Sequence, residues 1–163
     1  MFVSAVISAA FTTNDIDKII ETGLACIPKN SRLTETIQDV VAWCKQYNNW
    51  EDAWSKMMEK YGHYHWIHTF NNAAIVIIGL LYGKGDFEKS ICISVIGGLD
   101  TDCNGATAGS IVGIMLGAKA LPEKWIKPLN NRVESAVIGY NNSRISELAK
   151  RTLKISKAFL KTK

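Results

Sequence analysis

Apolar residues recur at helical spacing along most of this 163-residue chain, and this repeat limits the possible folds more than any other feature. In the segment Ser31–Tyr47 they form one stripe at steps that match helical turns: Leu33, Ile37, Val40, Val41, Cys44 and Tyr47. Start and stop signals predict further helices at Asp15–Ala25, Trp50–Lys60, His68–Tyr82, Phe87–Ile96, Asp102–Gly117 and Ile145–Lys163. Since no series of alternating strands occurs, we predict an all-α fold, a single domain built as a multi-helix orthogonal bundle.

Glycines are unusually regular within the predicted helix Asp102–Gly117. Gly105, Gly109, Gly113 and Gly117 are spaced four residues apart and therefore lie on one helical face. Each glycine costs roughly 1 kcal/mol relative to alanine in a helix interior. We expect this bare face to compensate by lying close to the backbone of another helix.

The composition excludes several protein classes. Charged residues make up 21% and hydrophobic residues 47% of the chain, which argues against disorder. The longest apolar run, Ala73–Leu81, is less than half of the roughly 20 residues that a membrane span needs, so we predict a buried helix and no membrane partner. Met1–Phe11 has no basic residue and does not resemble a signal peptide. The four cysteines form no C-x-x-C pair, which indicates free thiols and a cytoplasmic location.

Charge is distributed unevenly along the chain. Residues 1–118 contain 8 Lys/Arg and 12 Asp/Glu, whereas residues 119–163 contain 11 and 3. One alternative function is therefore a polyanion-binding module that uses the basic C-terminal helix 145–163. The basic residues alternate with the apolar positions of that helix, and no aromatic or glycine-rich recognition motif accompanies them. We interpret them as a solvated helix face and do not expect a nucleic-acid partner.

Two carboxylates stand two residues apart in the segment Gly97-Gly98-Leu99-Asp100-Thr101-Asp102-Cys103-Asn104-Gly105. On spacing alone, Asp100 or Asp102 could cap the following helix, or the pair could hold a hard cation such as Mg²⁺. The apolar segments on both sides place the turn near the core, and no Lys or Arg occurs between Lys89 and Lys119. A metal ion is a reasonable counter-charge for such acids, and both interpretations stay open.

The segment Tyr61–His68 contains all three histidines and is too irregular for a helix. Its spacing permits a zinc site, packing among aromatic side chains, or a contact between His68 and a substrate. Most tryptophans, Trp54 among them, are interpreted as helix-packing residues. These assignments do not by themselves identify a reaction.

A longer pattern is more specific. Residues 97–113, Gly-Gly-x-Asp-Thr-Asp-Cys-Asn-Gly-Ala-Thr-Ala-Gly-Ser-Ile-x-Gly, are followed by Gly117 and by Leu-Pro-Glu-Lys-Trp at 121–125. Together they resemble the C-terminal signature of the ADP-ribosylglycohydrolase family. Upstream, His68-Thr-Phe-Asn-Asn-Ala-Ala and Gly83-Lys-Gly-Asp-Phe are similar to a bacterial branch of that family. The resemblance is firmest over residues 61–125 and looser over the rest of residues 1–163.

The resemblance implies an all-helical, Mg²⁺-dependent hydrolase that cleaves the glycosidic bond of ADP-ribose conjugates. It implies two Mg²⁺ ions, with Asp100 and Asp102 as ligands and Cys103 at a position where the family usually has a threonine ligand. Because sulfur is soft and suits Mg²⁺ poorly, we expect water or the backbone to replace the Cys103 side chain. It also implies an ADP-ribose-type substrate, and the candidates for contacting it are His68, Asn71 and Asn72.

Some parts that the resemblance implies are missing from the sequence. The Thr-Asp-Asp triplet and the glycine-rich segment of the family's N-terminal half do not occur, so the catalytic residues expected there stay unknown. We therefore expect a C-terminal fragment, a partial version of the family fold, with weak metal binding and little turnover unless a separate N-terminal segment completes the site. The alternatives are an N-glycosidase that acts on a nucleoside-like substrate, and a non-catalytic helical interaction protein.

Overall fold

The computed structural model describes residues 1–160 and confirms the all-α prediction. The helices are α1 (Phe2–Ala10), α2 (Ile16–Ala25), α3 (Arg32–Gln46), α4 (Trp50–Tyr61), α5 (Thr69–Gly83), α6 (Phe87–Ile96), α7 (Thr101–Leu116), α8 (Glu123–Ile126) and α9 (Ile145–Leu160). A 3-10 turn follows α8 at Lys127–Leu129. The short antiparallel strands β1 (Arg132–Val133) and β2 (Ser143–Arg144), in which Arg132 is opposite Arg144, were not predicted.

The chain divides into two compact units. The first, Met1–Ala120, contains α1 to α7, and the second begins at Leu121 and contains α8, the two strands and α9. The predicted basic helix Ile145–Lys163 is confirmed as far as Leu160, and residues 161–163 lie outside the described residues. All of the residues that carry the candidate site belong to the first unit.

Helix α5 is the central element of the first unit. It packs against α2, α3, α4, α6 and α7. Its apolar residues are buried on all sides: Ala73, Ala74, Ile75, Val76, Ile77, Ile78 and Leu80. The prediction of a buried helix over this run is confirmed. Among residues 1–160, no helix combines the length and the hydropathy that crossing a bilayer requires.

Most long helices of the first unit begin with a side chain that caps the free backbone N–H groups. Asp15, Ser31, Asn49 and Asp86 each accept a hydrogen bond from the backbone N–H three residues further on, at 3.2, 3.1, 2.8 and 2.7 Å. His68 accepts one from the second residue after it. These bonds satisfy donors that a helix start leaves unpaired, and they explain why local sequence signals located the helix starts.

Small residues allow α6 to pack closely against both α5 and α7. A Cβ atom added at Gly105 would lie 2.8 Å from Cγ2 of Val95, and one added at Gly109 would lie 3.2 Å from Cδ1 of Ile91. Gly105 and Gly109 therefore lie close to α6, but their neighbours are side chains and not the predicted backbone, and a Cβ added at Gly117 would meet no atom within 4 Å. On the other side, a Cβ added at Gly79 would lie 2.8 Å from the carbonyl oxygen of Ser90. The end of α6, where the candidate site begins, is thus held between two helices.

Candidate metal centre

The turn between α6 and α7, residues 97–100, is the centre of the site. Gly98 and Leu99 have φ angles of 81° and 63°, in the left-handed region. Glycine adopts this conformation readily, whereas a residue with a side chain pays about 1–2 kcal/mol for it. The partly buried Leu99 side chain packs against the hydrophobic core. Contacts with the rest of the first unit therefore hold the turn in a conformation that Leu99 does not favour.

Hydrogen bonds from distant parts of the chain fix both ends of this turn. The indole N–H of Trp54 in α4 donates to the carbonyl oxygen of Gly97 at 2.8 Å. The backbone N–H of Asp100 donates to Oδ1 of Asn72 in α5 at 3.0 Å. The Nδ2 atom of Asn104 donates to the same Oδ1 at 2.8 Å. The start of α7 is therefore tied to both α4 and α5.

The three residues predicted as metal ligands lie together. Asp100, Asp102 and Cys103 each offer one ligand atom, and these atoms all lie within 4.8 Å of one another. Asp100 is half-buried, and the other two residues are exposed. Within residues 1–160, no other group of three or more His, Cys, Asp or Glu side chains lies close enough together to share one ion.

The carboxylate of Asp100 does not cap α7. Asp100 occupies the N-cap position, but its side chain accepts no hydrogen bond from the helix backbone. This distinguishes it from Asp15 and Asp86, whose carboxylates cap α2 and α6. Neither Asp100 nor Asp102 forms an ion pair within the described part of the chain. Two carboxylates thus stand at the positive end of a helix dipole, and no cationic side chain of residues 1–160 pairs with either of them.

The thiol of Cys103 contacts the same carboxylate. A hydrogen bond to the side chain of Asp100, and secondarily the negative charge of Asp100, raise the pKa of Cys103. The thiol therefore stays protonated at neutral pH, and the thiolate is the form that binds metals. The expectation that Cys103 does not ligate Mg²⁺ through sulfur stays a prediction.

An apolar groove of about 200 Å³ opens beside the acidic cluster. Its walls come from α1, α5 and α7, and they include Phe2, Val6, Val76 and Ile111. At one end the lining becomes polar, with Asp100, Cys103, Asn104 and Thr107. A ligand in this groove would place an apolar surface against the helices and polar groups against the carboxylate end.

The residues predicted to contact substrate lie at the start of α5, in different surroundings. Asn72 is among the residues that line the groove. Asn71 is fully buried, and its Nδ2 atom donates to the carbonyl oxygens of Tyr64 and His65 at 3.4 and 3.2 Å. The ring of His68 stacks on Tyr64, with ring centroids 4.4 Å apart. Substrate contact by these residues stays a prediction.

The histidines do not assemble into a metal site within residues 1–160. Nδ1 of His63 lies 3.0 Å from the carbonyl oxygen of Lys60, and the ring of His63 packs on Tyr64 with a centroid distance of 4.2 Å. Aromatic packing, one of the alternatives that the sequence left open, describes His63 and His68. The segment between α4 and α5 lacks helical structure from Gly62 to His68, as predicted, whereas Tyr61 is the last residue of α4.

Sequence reasoning missed the contribution of Trp54. Trp54 packs against the hydrophobic core, as predicted, and its indole N–H also donates to the turn that carries Asp100. A buried tryptophan N–H usually finds an acceptor, which is the signal that the sequence offers. That rule does not reveal which of many backbone carbonyls will be the acceptor.

Almost the whole chain matches one known protein family. The model of the ADP-ribosylglycohydrolase family matches residues 1–159. No curated protein and no solved structure gives a significant match. The matched range includes the Gly97–Gly98 turn, the acidic cluster and the helices that hold them. Because the match covers almost the entire chain, the protein belongs to the ADP-ribosylglycohydrolase family.

Proposed function

We propose that this chain carries part of the active site of a Mg²⁺-dependent hydrolase that cleaves the glycosidic bond of ADP-ribose conjugates. One observation carries the proposal: the Asp100 carboxylate stands at the N-terminus of α7 without capping it, and a carboxylate oxygen of Asp102 lies within 4.8 Å of it. Carboxylate oxygens are the ligands that Mg²⁺ prefers. Family membership supports the reaction class, and the acidic cluster supports the proposal that an ion binds here.

The donor set fits Mg²⁺ through its two carboxylates. Proteins usually bind Mg²⁺ with one or two carboxylates, and waters and substrate oxygens complete the coordination. Asp100 and Asp102 would hold the ion, and Cys103 would lie beside them. When bound, Mg²⁺ supplies positive charge that orients ribose hydroxyls and polarises a water molecule.

The groove beside the cluster supports a substrate with one apolar face and several hydroxyl groups. Its walls in α1, α5 and α7 would cover the flat part of a nucleotide-like molecule. The polar end, at Asp100 and Thr107, would face the hydroxyl groups. Positive charge develops on the sugar when a glycosidic bond is cleaved, and nearby carboxylates would stabilise that charge.

We propose further that Asp100 and Asp102 are only part of the two-ion site of the family. Two carboxylates and a protonated thiol are few protein ligands for two ions, and no further acidic side chain of residues 1–160 joins the cluster. An additional N-terminal polypeptide segment would supply the remaining ligands and the catalytic carboxylate. The chain by itself should then bind Mg²⁺ weakly and turn over little substrate.

Thermal unfolding with and without Mg²⁺ tests the metal site. We expect Mg²⁺ to raise the Tm of the wild-type chain but not the Tm of Asp100→Asn or Asp102→Asn. Asp86→Asn is the matched control, because it makes the same chemical change at another helix start and asparagine still caps. A Mg²⁺ response that survives in both cluster variants would refute the site.

Rapid hydrolysis of an ADP-ribosylated peptide by the purified chain would refute the partial-site proposal.

Protection of a thiol tests the substrate class. Cys103 lines the groove, whereas Cys26 is exposed outside it. With Mg²⁺ present, ADP-ribose should slow alkylation of Cys103 and leave Cys26 unaffected. Stronger protection by a plain nucleoside would favour the alternative N-glycosidase function.

A further inference from the structure

Asn72 uses the whole hydrogen-bonding capacity of its side chain within the protein. Its Oδ1 accepts from the Asp100 N–H at 3.0 Å and from Nδ2 of Asn104 at 2.8 Å. Its Nδ2 donates to the carbonyl oxygens of Trp66 and His68, both at 2.8 Å. An asparagine amide offers two acceptor lone pairs and two donor hydrogens. The Asn72 amide therefore has no group left for a substrate, although the residue lines the groove.

These bonds connect the start of α5 with the turn that presents Asp100. Asn72 is only 8% exposed, so its bonds are shielded from competition with water. The residue before Asp100 is Leu99, whose left-handed backbone costs about 1–2 kcal/mol. Such conformations persist where the surrounding structure holds them. The bond between Asn72 and the Asp100 N–H provides that restraint next to Leu99.

The backbone of Asp100 also differs from that of the N-cap residues that do cap their helices. Those residues, Asp15, Ser31, Asn49, His68 and Asp86, have ψ angles from 106° to 153°. Asp100 has a ψ angle of 71°, and its side chain makes no capping bond. The residue whose N–H is bound by Asn72 is thus the residue whose carboxylate does not turn back onto its own helix.

We infer that Asn72 is a positioning residue for the metal site. It holds the backbone of Asp100 so that the carboxylate lies beside Asp102 and Cys103 instead of capping α7. The inference rests on the proposed function, because the site that Asn72 positions is the proposed Mg²⁺ site. It assigns Asn72 a role that acts through Asp100 and not through contact with the substrate.

The test compares Asn72→Leu with Asn71→Leu. Both remove a buried amide from adjacent positions of α5. Oδ1 of Asn71 accepts from the backbone N–H and from Nδ2 of Asn72, but only Asn72 contacts the turn. We expect both variants to lose stability. Calorimetric titration with Mg²⁺ should show about tenfold or greater weakening for Asn72→Leu, as for other residues that orient metal ligands, and an affinity within about twofold of wild type for Asn71→Leu. Amide hydrogen exchange of Asp100 should accelerate in Asn72→Leu alone.

Each outcome decides the question. If Asn72→Leu keeps its Mg²⁺ affinity, or if both variants weaken binding in proportion to their lost stability, Asn72 is merely structural and the inference is overturned. If the wild-type chain binds no Mg²⁺, the proposed function fails, and the exchange rate of the Asp100 amide alone then shows whether Asn72 holds that residue.

If Asn72→Leu does not fold, Asn104→Ala serves as the test, because it removes one of the two bonds to Oδ1 of Asn72. A smaller weakening of Mg²⁺ binding supports the inference, and an unchanged affinity overturns it.

Discussion

The indole nitrogen of Trp54 in α4 donates a hydrogen bond of 2.8 Å to the carbonyl oxygen of Gly97, at the end of α6. The two residues are 43 positions apart in the sequence. Together with the bond between Asn72 and the Asp100 N–H, this contact holds the turn before α7 at both ends. The geometry of the acidic cluster therefore depends on uncharged residues that are distant in sequence.

Replacing Trp54 with phenylalanine should destabilise the first unit. The ring volume is largely kept, but the carbonyl oxygen of Gly97, a buried residue, loses its donor, and an unsatisfied buried acceptor costs about 1–3 kcal/mol. The free energy of unfolding measured in urea should fall by that amount. Trp43→Phe is the control, because the indole of Trp43 makes no hydrogen bond within residues 1–160. Equal losses in the two variants would show that the hydrogen bond contributes nothing.

Substitutions at Gly98 should cost stability in a defined order. Its φ angle is 81°, and an added Cβ atom would meet no atom within 4 Å, so the cost is conformational and not steric. Gly98→Ala should lower the free energy of unfolding by about 1–2 kcal/mol. Gly98→Asn should cost less, because asparagine tolerates left-handed backbone, and Gly98→Val should cost more. Denaturation curves that place asparagine and valine at the same cost would contradict this account of the turn.

Ser90→Ala should stabilise the protein. The Ser90 hydroxyl is fully buried between α5 and α6, and its oxygen has no hydrogen-bond partner among residues 1–160. Removing an unsatisfied buried polar group and introducing the best helix former should raise the free energy of unfolding by about 1 kcal/mol. Ser110→Ala makes the same change at an exposed position of α7, where the hydroxyl donates to the carbonyl oxygen of Ala106, and should gain no more than the difference in helix propensity. The prediction is wrong if Ser90→Ala gains no more than Ser110→Ala.

Burial of Cys44 predicts a specific loss of stability at alkaline pH. Burial raises the pKa of the Cys44 thiol from its ordinary value of 9.0 to about 12. The unfolded chain therefore releases this proton at a lower pH than the folded chain does. The stabilisation is complete below pH 9 and is lost progressively up to about pH 12. Cys44→Ala should make this loss of stability less steep in urea titrations, and a profile as steep as that of the wild type would contradict the prediction.

Local signals predicted the helices well, because caps and apolar stripes act over a few residues. Ser31 and Asn49 cap α3 and α4 at the predicted positions. The two-residue strands at Arg132–Val133 and Ser143–Arg144 could not be predicted, because they are too short to show alternation.

In the candidate site too, contacts between residues close in sequence could be predicted, and contacts between distant residues could not. Asp100 and Asp102 are two residues apart, and the start of α7 brings them together, so the sequence could predict the pair. The contacts made by Trp54 and Asn72 join residues 43 and 28 positions apart and depend on how the helices pack. No spacing rule identifies such partners. Whether Asp100 caps its helix likewise depends on the backbone angles that these contacts impose.

The most direct test of the central claim is a titration of Mn²⁺ followed by electron paramagnetic resonance, because Mn²⁺ accepts the same oxygen ligands as Mg²⁺. We predict that the wild-type chain and Asp86→Asn will reduce the signal of the free ion and that excess Mg²⁺ will restore it. Asp100→Asn and Asp102→Asn should leave the signal of the free ion close to that of buffer. A folded wild-type chain that does not reduce the signal, or an Asp100→Asn/Asp102→Asn double variant that binds Mn²⁺ like wild type, would contradict the assignment of these carboxylates to a metal site.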